Sequence, residues 1–358
     1  MNIHNPYFNT ASEEYILENF DSINSICNNN KIDNNKNCEE TIFMLWQNEP
    51  CVYLGRNQNA YAEINLDYAR ENNIKIVRRL SGGGCVYQDM GNINFSLFSN
   101  AAEEMILNFE YYTKPVINAL QNLGVNAELK GRNDLVINGL KFSGNAQCVY
   151  RAKGSESSEK NKRILHHGTI LFDADMSKLS GVLNADKEKI KSKGVKSIRS
   201  RVTNVADHLH LPESQKMTAE QFFNYLENYI ISENQCKIYD FNENDVKNIE
   251  YLADNYYCTH KFIYGVNLEY SFKNKKYFDF GTVEVCFNVW DFKIKNVKIY
   301  GDFFGETDIT ELEKFFNGLP HDINIIKENL YNNFNKSDKN ISRFIKGCDI
   351  DKLSDLFI

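Results

Sequence analysis

The chain has 358 residues, 41 Lys+Arg against 48 Asp+Glu, a formal net charge of -7, and 42% hydrophobic with 13% aromatic content. That length suits a large domain plus a smaller one, and the apolar content excludes wholesale disorder. The acidic balance argues against a general nucleic-acid binder, and no run approaches the roughly 18 apolar residues of a membrane span.

Asn9 or Thr10 reads as the cap of a first helix that opens with Ser12, Glu13 and Glu14. A polar tract at 28–38 reads as a surface loop. Strands are expected at Thr41–Trp46 and Cys51–Leu54, a helix at 65–73, and a strand at 75–80 feeding Ser81-Gly82-Gly83-Gly84. Strand character resumes at 85–87 and 93–98, and a helix at 111–123 is closed by Gly124. Asn138-Gly139 lies between two β-prone runs and is the strongest short hairpin signal in the chain. Residues 151–163 read as a solvated loop, 166–172 as a strand, 175–183 and 186–192 as short helices, and 220–231 as a longer one.

After about residue 245 the texture changes to aromatic-rich strands at 268–272, 277–280, 283–289 and 295–300. Helices at Ile309–Phe316 and Ile323–Phe334 follow. The chain therefore divides into 1–245 and 246–358, with a hinge expected near 242–248.

Asn is roughly one residue in eight, a compositional drift that says little about chemistry. Nine cysteines at irregular spacing contain no zinc-knuckle or thioredoxin-type pair, and read as reduced thiols of an intracellular protein. The first 15 residues have neither the basic and apolar regions of a secretory signal nor an Arg-rich transit pattern.

Four stretches carry chemical interest. Arg78-Arg79-Leu80-Ser81-Gly82-Gly83-Gly84 joins two strands and has neither the Walker nor the dinucleotide spacing. Its glycines admit a close backbone approach to a ligand, and its arginine suits a phosphate or carboxylate; a plain turn with a surface arginine is the competing reading. In the hairpin, Ile137 pairs with Leu140, Val136 with Lys141, Leu135 with Phe142 and Asp134 with Ser143. Leu135, Ile137, Leu140 and Phe142 then share the core face, while Asp134 and Lys141 become diagonal neighbours on the other. Such a pair either holds phosphoryl oxygens and Mg²⁺ or is an ordinary cross-strand ion pair. His166-His167-Gly168-Thr169 opens a strand, so its histidines face opposite ways and do not form a two-His metal site. Residues 187–201 carry seven basic side chains, either a solvated helix face or a loop that closes over phosphates.

Four ordered stretches, RRLSGGGCVYQDMGNINFS, GRNDLVINGLKFSGNAQ, HHGTILFDADMSKLSGVLN and KGVKSIRSRVTN, together resemble the lipoate-protein ligase A family of the biotin/lipoate ligase superfamily. The resemblance covers about 5–245 strongly and continues to about 335 more weakly. It implies an α+β fold, with a large domain of mixed sheets flanked by helices and a small α+β C-terminal accessory domain. It also implies that lipoate and ATP give lipoyl-AMP, whose lipoyl group passes to a lysine of a lipoyl domain of an E2 subunit or glycine cleavage H protein. ATP and Mg²⁺ are the implied cofactors, and a monomer in the cytoplasm, or in the mitochondrial matrix of a eukaryote, is expected.

By the same resemblance, Lys141 contacts the lipoate carboxylate and the α-phosphate, Asp134 stands near Mg²⁺, and Asn133 and Ser143 flank them. Arg79, Ser81, Gly82, Gly83, Gly84 and Cys85 match the loop along the lipoyl chain, with Gln88 and Asn92 following. Ala146, His167, Gly168 and Thr169 match the adenylate site, and Lys193, Ser197 and Arg199 match the adenylate-binding loop. Gln88 departs from the family's histidine, so it hydrogen-bonds but does not titrate near neutrality. Cys85 stands where a small residue is usual. The alternatives are an acyltransferase working through a thioester on Cys85 or Cys148, a biotin ligase, and a non-catalytic lipoate-binding homologue.

Overall fold

The first helix starts where its backbone donors first find partners. Asn5 accepts from the Tyr7 N–H and Pro6 takes the first helical position, so the helix spans Pro6–Glu18. The expected cap at Asn9 or Thr10 is four or five residues late. Both instead lie buried inside the helix, where Asn9 donates to the Gln47 carbonyl and Thr10 to that of Pro6. In the computed structural model the described residues are 3–28, 41–151, 162–184, 202–210, 216–265, 269–336 and 339–357. Of the loop expected at 151–163, residues 152–161 fall outside them, while 151 ends one strand and 162 and 163 begin the next; residues 29–38 of the polar tract, the helix at 186–192 and the basic segment 187–201 also lie outside.

The large unit contains two sheets. The strands are β1 (Thr41–Trp46), β2 (Cys51–Leu54), β3 (Lys75–Arg78), β4 (Val86–Gln88), β5 (Asn92–Asn100), β6 (Ala127–Lys130), β7 (Asp134–Ile137), β8 (Leu140–Arg151) and β9 (Lys162–Leu171). A six-stranded sheet runs β1-β5-β9-β8-β7-β6, with every neighbouring pair antiparallel. A three-stranded sheet runs β3-β2-β4 and contains one parallel pair, β2 with β3. That parallel step needs a crossover, supplied by helices Ala60–Glu63 and Leu66–Glu71.

β5 and β9 are buried on both faces because helices cover both sides. On one side Phe95, Leu97 and Ile164 pack with Tyr112, Val116 and Leu120 of helix Phe109–Asn122 and with Phe222 and Leu226 of helix Ala219–Asn234. On the other, Phe98 and Leu165 pack with Phe8, Ile16 and Leu17 of the first helix. Each such fully buried side chain contributes roughly 1.5–3 kcal/mol of transfer free energy.

The β7–β8 hairpin turns on Asn138 (φ 53°) and Gly139 (φ 80°), both positive as the sequence requires. Its register differs from the expected one beyond Val136. Leu135 pairs with Ser143 and Asp134 with Gly144, so Phe142 is the extra residue of a bulge. Leu135, Ile137 and Phe142 do reach the core, whereas Leu140 stays half-buried.

The C-terminal unit has its own core, centred on Phe278, Val285, Phe287, Leu312, Phe316 and Leu330. The four strands expected there are three: β10 (Phe272–Phe278), β11 (Gly281–Trp290) and β12 (Lys293–Gly301). Phe272 of the run at 268–272 and Tyr277 and Phe278 of the run at 277–280 belong to a single strand, β10, because β11 pairs continuously along it.

The expected division at 245/246 falls inside helix Glu243–Leu252, which packs on the first helix through Ile249. Asp245 is buried there and accepts from the Tyr15 and Tyr239 hydroxyls. Bending within 242–248 would have to break those bonds. The two units meet at several points. Arg56 pairs with Asp308 at 2.7 Å, the Gly301 N–H donates to the Asn57 carbonyl, and Arg132 donates to the Phe280 carbonyl.

Candidate active site

The glycine-rich loop leaves β3 with two buried arginines. Arg78 spends its donors on the carbonyls of Gly55, Arg56, Gln58, Phe262 and Ile263, so it ties distant segments together. Arg79 turns into the loop itself. Its Nη2 donates to the Gly82 and Gly84 carbonyls at 2.8 Å each, its Nη1 to the Tyr53 carbonyl and its Nε to the Ser81 hydroxyl. Burial pulls the Arg79 pKa down to about 10, still well above neutrality, so the guanidinium remains charged. Its donors face oxygens of the loop and of β2.

The glycines are not equivalent. A Cβ on Gly82 would lie 2.3 Å from the Phe303 carbonyl, so that glycine admits the C-terminal unit. A Cβ on Gly84 would meet nothing within 4 Å, which leaves this position open to an approaching ligand. Cys85 is half-buried against a cluster containing Val52, Leu54 and Tyr87.

Behind the loop runs a chain of short contacts. The Ser81 hydroxyl lies 2.6 Å from His167 Nε2, and His167 Nδ1 lies 2.8 Å from Glu13 Oε1. Glu13 also accepts from Ser96 at 2.6 Å, and Ser96 in turn accepts from the Trp46 indole. Ser81 and Glu13 are completely shielded from solvent. His166, one residue earlier on β9, faces the opposite side and stacks on Tyr112 at 4.9 Å. Burial drives its pKa well below the usual histidine value, so it stays neutral.

The hairpin side is wetter. Lys141 Nζ lies 2.7 Å from Asp134 Oδ1, with roughly a third of each side chain left to solvent. The backbone beside them is fixed. Asn133 and Asn145 exchange backbone and side-chain bonds, Asn145 also donates to Ser143, and the Gly144 N–H donates to Thr169. Gly168 lies directly beneath Asn145, where a Cβ would come within 2.2 Å of Asn145 Oδ1. Val202, which follows the basic segment, bridges to Lys141, and the Thr203 N–H donates to the Lys141 carbonyl. Lys193, Ser197 and Arg199 lie outside the described residues.

Ala146 pairs with His167 across β8 and β9, and so links the two sides. It packs with Phe109 and Phe304, and Phe304 also borders Gly83. Arg132 stacks on the Phe304 ring at 4.5 Å. Gln88 and Asn92 belong to a buried amide network that borders Thr169 through Asn94, its partner across β5 and β9. Gln88 Oε1 accepts from Asn48 and Asn94, and Asn92 donates to Asn94. Among the described residues no cluster of three or more His, Cys, Asp or Glu could hold a metal by itself.

Sequence reasoning missed Glu13, Asn145 and Phe304. Asn145 lies inside a recognised stretch and could have been found, whereas Glu13 and Phe304 reach the site only through contacts distant in sequence.

Residues 5–231 match the lipoyl protein ligase A/B catalytic domain, and residues 267–356 match the bacterial lipoate protein ligase C-terminus. The chain belongs to the lipoate-protein ligase family. It is 37% identical over 329 residues to lipoate--protein ligase 1 of Staphylococcus aureus, covering 92% of this chain and 91% of that protein. It is likewise 37% identical over 330 residues to lipoate-protein ligase LplJ of Bacillus subtilis, covering 91% of each. Among solved structures it resembles P. falciparum LipL1 in complex with lipoate, with a TM-score of 0.68, 26% identity and 92% coverage of both chains.

Proposed function

We propose that this protein activates lipoate with ATP and transfers the lipoyl group to a lysine on an acceptor lipoyl domain. In the first step a lipoate carboxylate oxygen attacks the α-phosphorus and pyrophosphate leaves. In the second the acceptor amine attacks the acyl carbon and AMP leaves. The mixed anhydride is already an activated acyl donor, so no enzyme nucleophile is needed, and catalysis rests on placement and charge stabilisation.

The observation that carries this reading is the half-exposed Lys141–Asp134 pair, held beside the adenylate-site positions in a chain of this family. Lys141 would neutralise charge on the carboxylate and α-phosphate. Asp134 supplies one carboxylate, and Mg²⁺ commonly takes one or two carboxylates with the remainder from substrate phosphates, so the donor set fits a magnesium arriving with ATP. The thioester route has less support. Cys148 is buried and its pKa is pushed up to about 12, which keeps it a thiol rather than a nucleophilic thiolate.

The acceptors we propose are E2 lipoyl domains and glycine cleavage H protein, served by a monomer. The bacterial sources of the two curated relatives favour a cytoplasmic setting over a mitochondrial one. Purified chain given lipoate, ATP and Mg²⁺ should release pyrophosphate, and adding an apo lipoyl domain should increase that domain's mass by one lipoyl group. Acyl transfer without ATP, trapped as a protein thioester, would replace this reading with the transferase.

A further inference from the structure

Glu13 stands at the far end of the contacts that fix the glycine loop. Its Oε1 already accepts from the Ser96 hydroxyl, so the contact with His167 is made by an Nδ1–H. His167 Nε2 lies 2.6 Å from the Ser81 hydroxyl, which also reaches the Gly82 carbonyl at 3.4 Å. The Ser81 oxygen in turn accepts from Arg79 Nε at 3.1 Å. A carboxylate and a guanidinium thus terminate a buried chain that runs through His167 and Ser81.

The consequence lies in the loop. Arg79 draws the Gly82 and Gly84 carbonyls toward itself. In a trans peptide the N–H of the next residue points the opposite way, so the Gly83 and Cys85 amides are turned outward, away from the guanidinium. No described hydrogen bond satisfies the Gly83 N–H from within the loop. Glu13 Oε2, although buried, also has no partner among the described residues. A carboxylate kept only for structure would ordinarily have both oxygens bonded.

We propose that Glu13 is a positioning residue for the acyl substrate, acting through His167, Ser81 and Arg79 to set which peptide faces the glycine loop presents to that substrate. The proposal rests on the ligase reading for its substrate but not for its geometry. Glu13 touches neither the loop nor the hairpin pair directly.

Two measurements test it on the full-length chain, using Glu13→Gln, Ser81→Ala and the double variant. The first is amide hydrogen exchange of residues 79–87 without ligand, which should speed up about tenfold in each single variant on loss of one charge-assisted bond. The second is steady-state pyrophosphate release. Each single variant should raise KM for lipoate about tenfold with kcat within about threefold of wild type, and the double variant should be no worse than Ser81→Ala alone. Additive losses in the double variant, or exchange unchanged in residues 79–87, would overturn the proposal. A loss that follows Tm instead of KM would reduce Glu13 to a structural role. If Glu13→Gln does not fold, Ser81→Ala carries the exchange test, and unchanged exchange there is equally decisive. A wild-type chain that releases no pyrophosphate sinks the ligase reading alone, because the exchange measurement still decides the positioning role.

Discussion

The glycine loop and the β7–β8 hairpin face the same candidate site but are built on opposite principles. The loop's polar side chains Arg79 and Ser81 are buried, and Arg79 spends its donors on protein oxygens. The hairpin keeps Lys141 and Asp134 partly in solvent, paired only loosely with the fold. A buried network specifies shape because every unmet bond is costly, whereas a solvated pair can be rearranged cheaply by an incoming ligand. The loop therefore supplies form and the hairpin supplies charge that can be redirected.

The largest expected effect tests the hairpin half of that contrast. Lys141→Ala should lower pyrophosphate release by at least about 10²-fold, the usual cost of removing a preorganised charge stabiliser, while stability changes by no more than about 1 kcal/mol. Urea unfolding alongside the activity assay checks both. A fold loss matching the activity loss would erase the distinction between the two regions.

Arg79→Ala should do the reverse. It leaves the Tyr53, Gly82 and Gly84 carbonyls without their donor, and each buried unmet carbonyl costs roughly 1–3 kcal/mol. The expected loss is about 3 kcal/mol or more in the urea midpoint analysis. A variant as stable as wild type would show that the guanidinium is free to serve a ligand instead.

How far each region could be read from sequence follows the same division. The hairpin was legible because Asn138-Gly139 needs two positive φ angles, a local demand that nearby residues state openly. Its bulge at Phe142 was not, because only pairing across to Gly144 reveals the slip. The β-strands Thr41–Trp46 and Cys51–Leu54 and the helices Ile309–Phe316 and Ile323–Phe334 matched expectation, since apolar pattern and caps agree there. The first helix was mis-started because the Asn5-Pro6 signal was overlooked in favour of later polar residues. The role of the triple glycine was only half visible. A close backbone approach was an expectation any glycine run raises, but the Phe303 backbone at Gly82 comes from some 220 residues away. Glu13 was unreadable for the same reason, since Glu13 and Glu14 look like ordinary first-turn acids until their partners are known.

The glycines offer a finer test within the loop. Gly82→Ala places a methyl against the Phe303 carbonyl and should cost about 1–3 kcal/mol, while Gly84→Ala should leave stability within about 0.5 kcal/mol. If Gly84 is the open position, its alanine variant should instead raise KM for lipoate. Equal stability losses in the two variants would contradict the asymmetry.

The smallest effect concerns the face of β9 behind the loop. His166 is fully buried among Tyr112, Phe109 and Phe95, with both ring nitrogens lacking partners among the described residues. Burial depresses its folded pKa well below the usual histidine value, so the native state binds no proton there while the unfolded chain does. Stability must then fall as pH drops below about 6.5, by at most about 1.4 kcal/mol per pH unit for this one group. His166→Phe keeps the ring stacking and removes the titration. Unfolding free energies at about pH 5 and about pH 7.5 should therefore converge in the variant relative to wild type, with the gain confined to the acid side. An equal gain at both pH values would mean that packing rather than protonation governs this face. The dry side of the sheet would then be stable for reasons unrelated to charge.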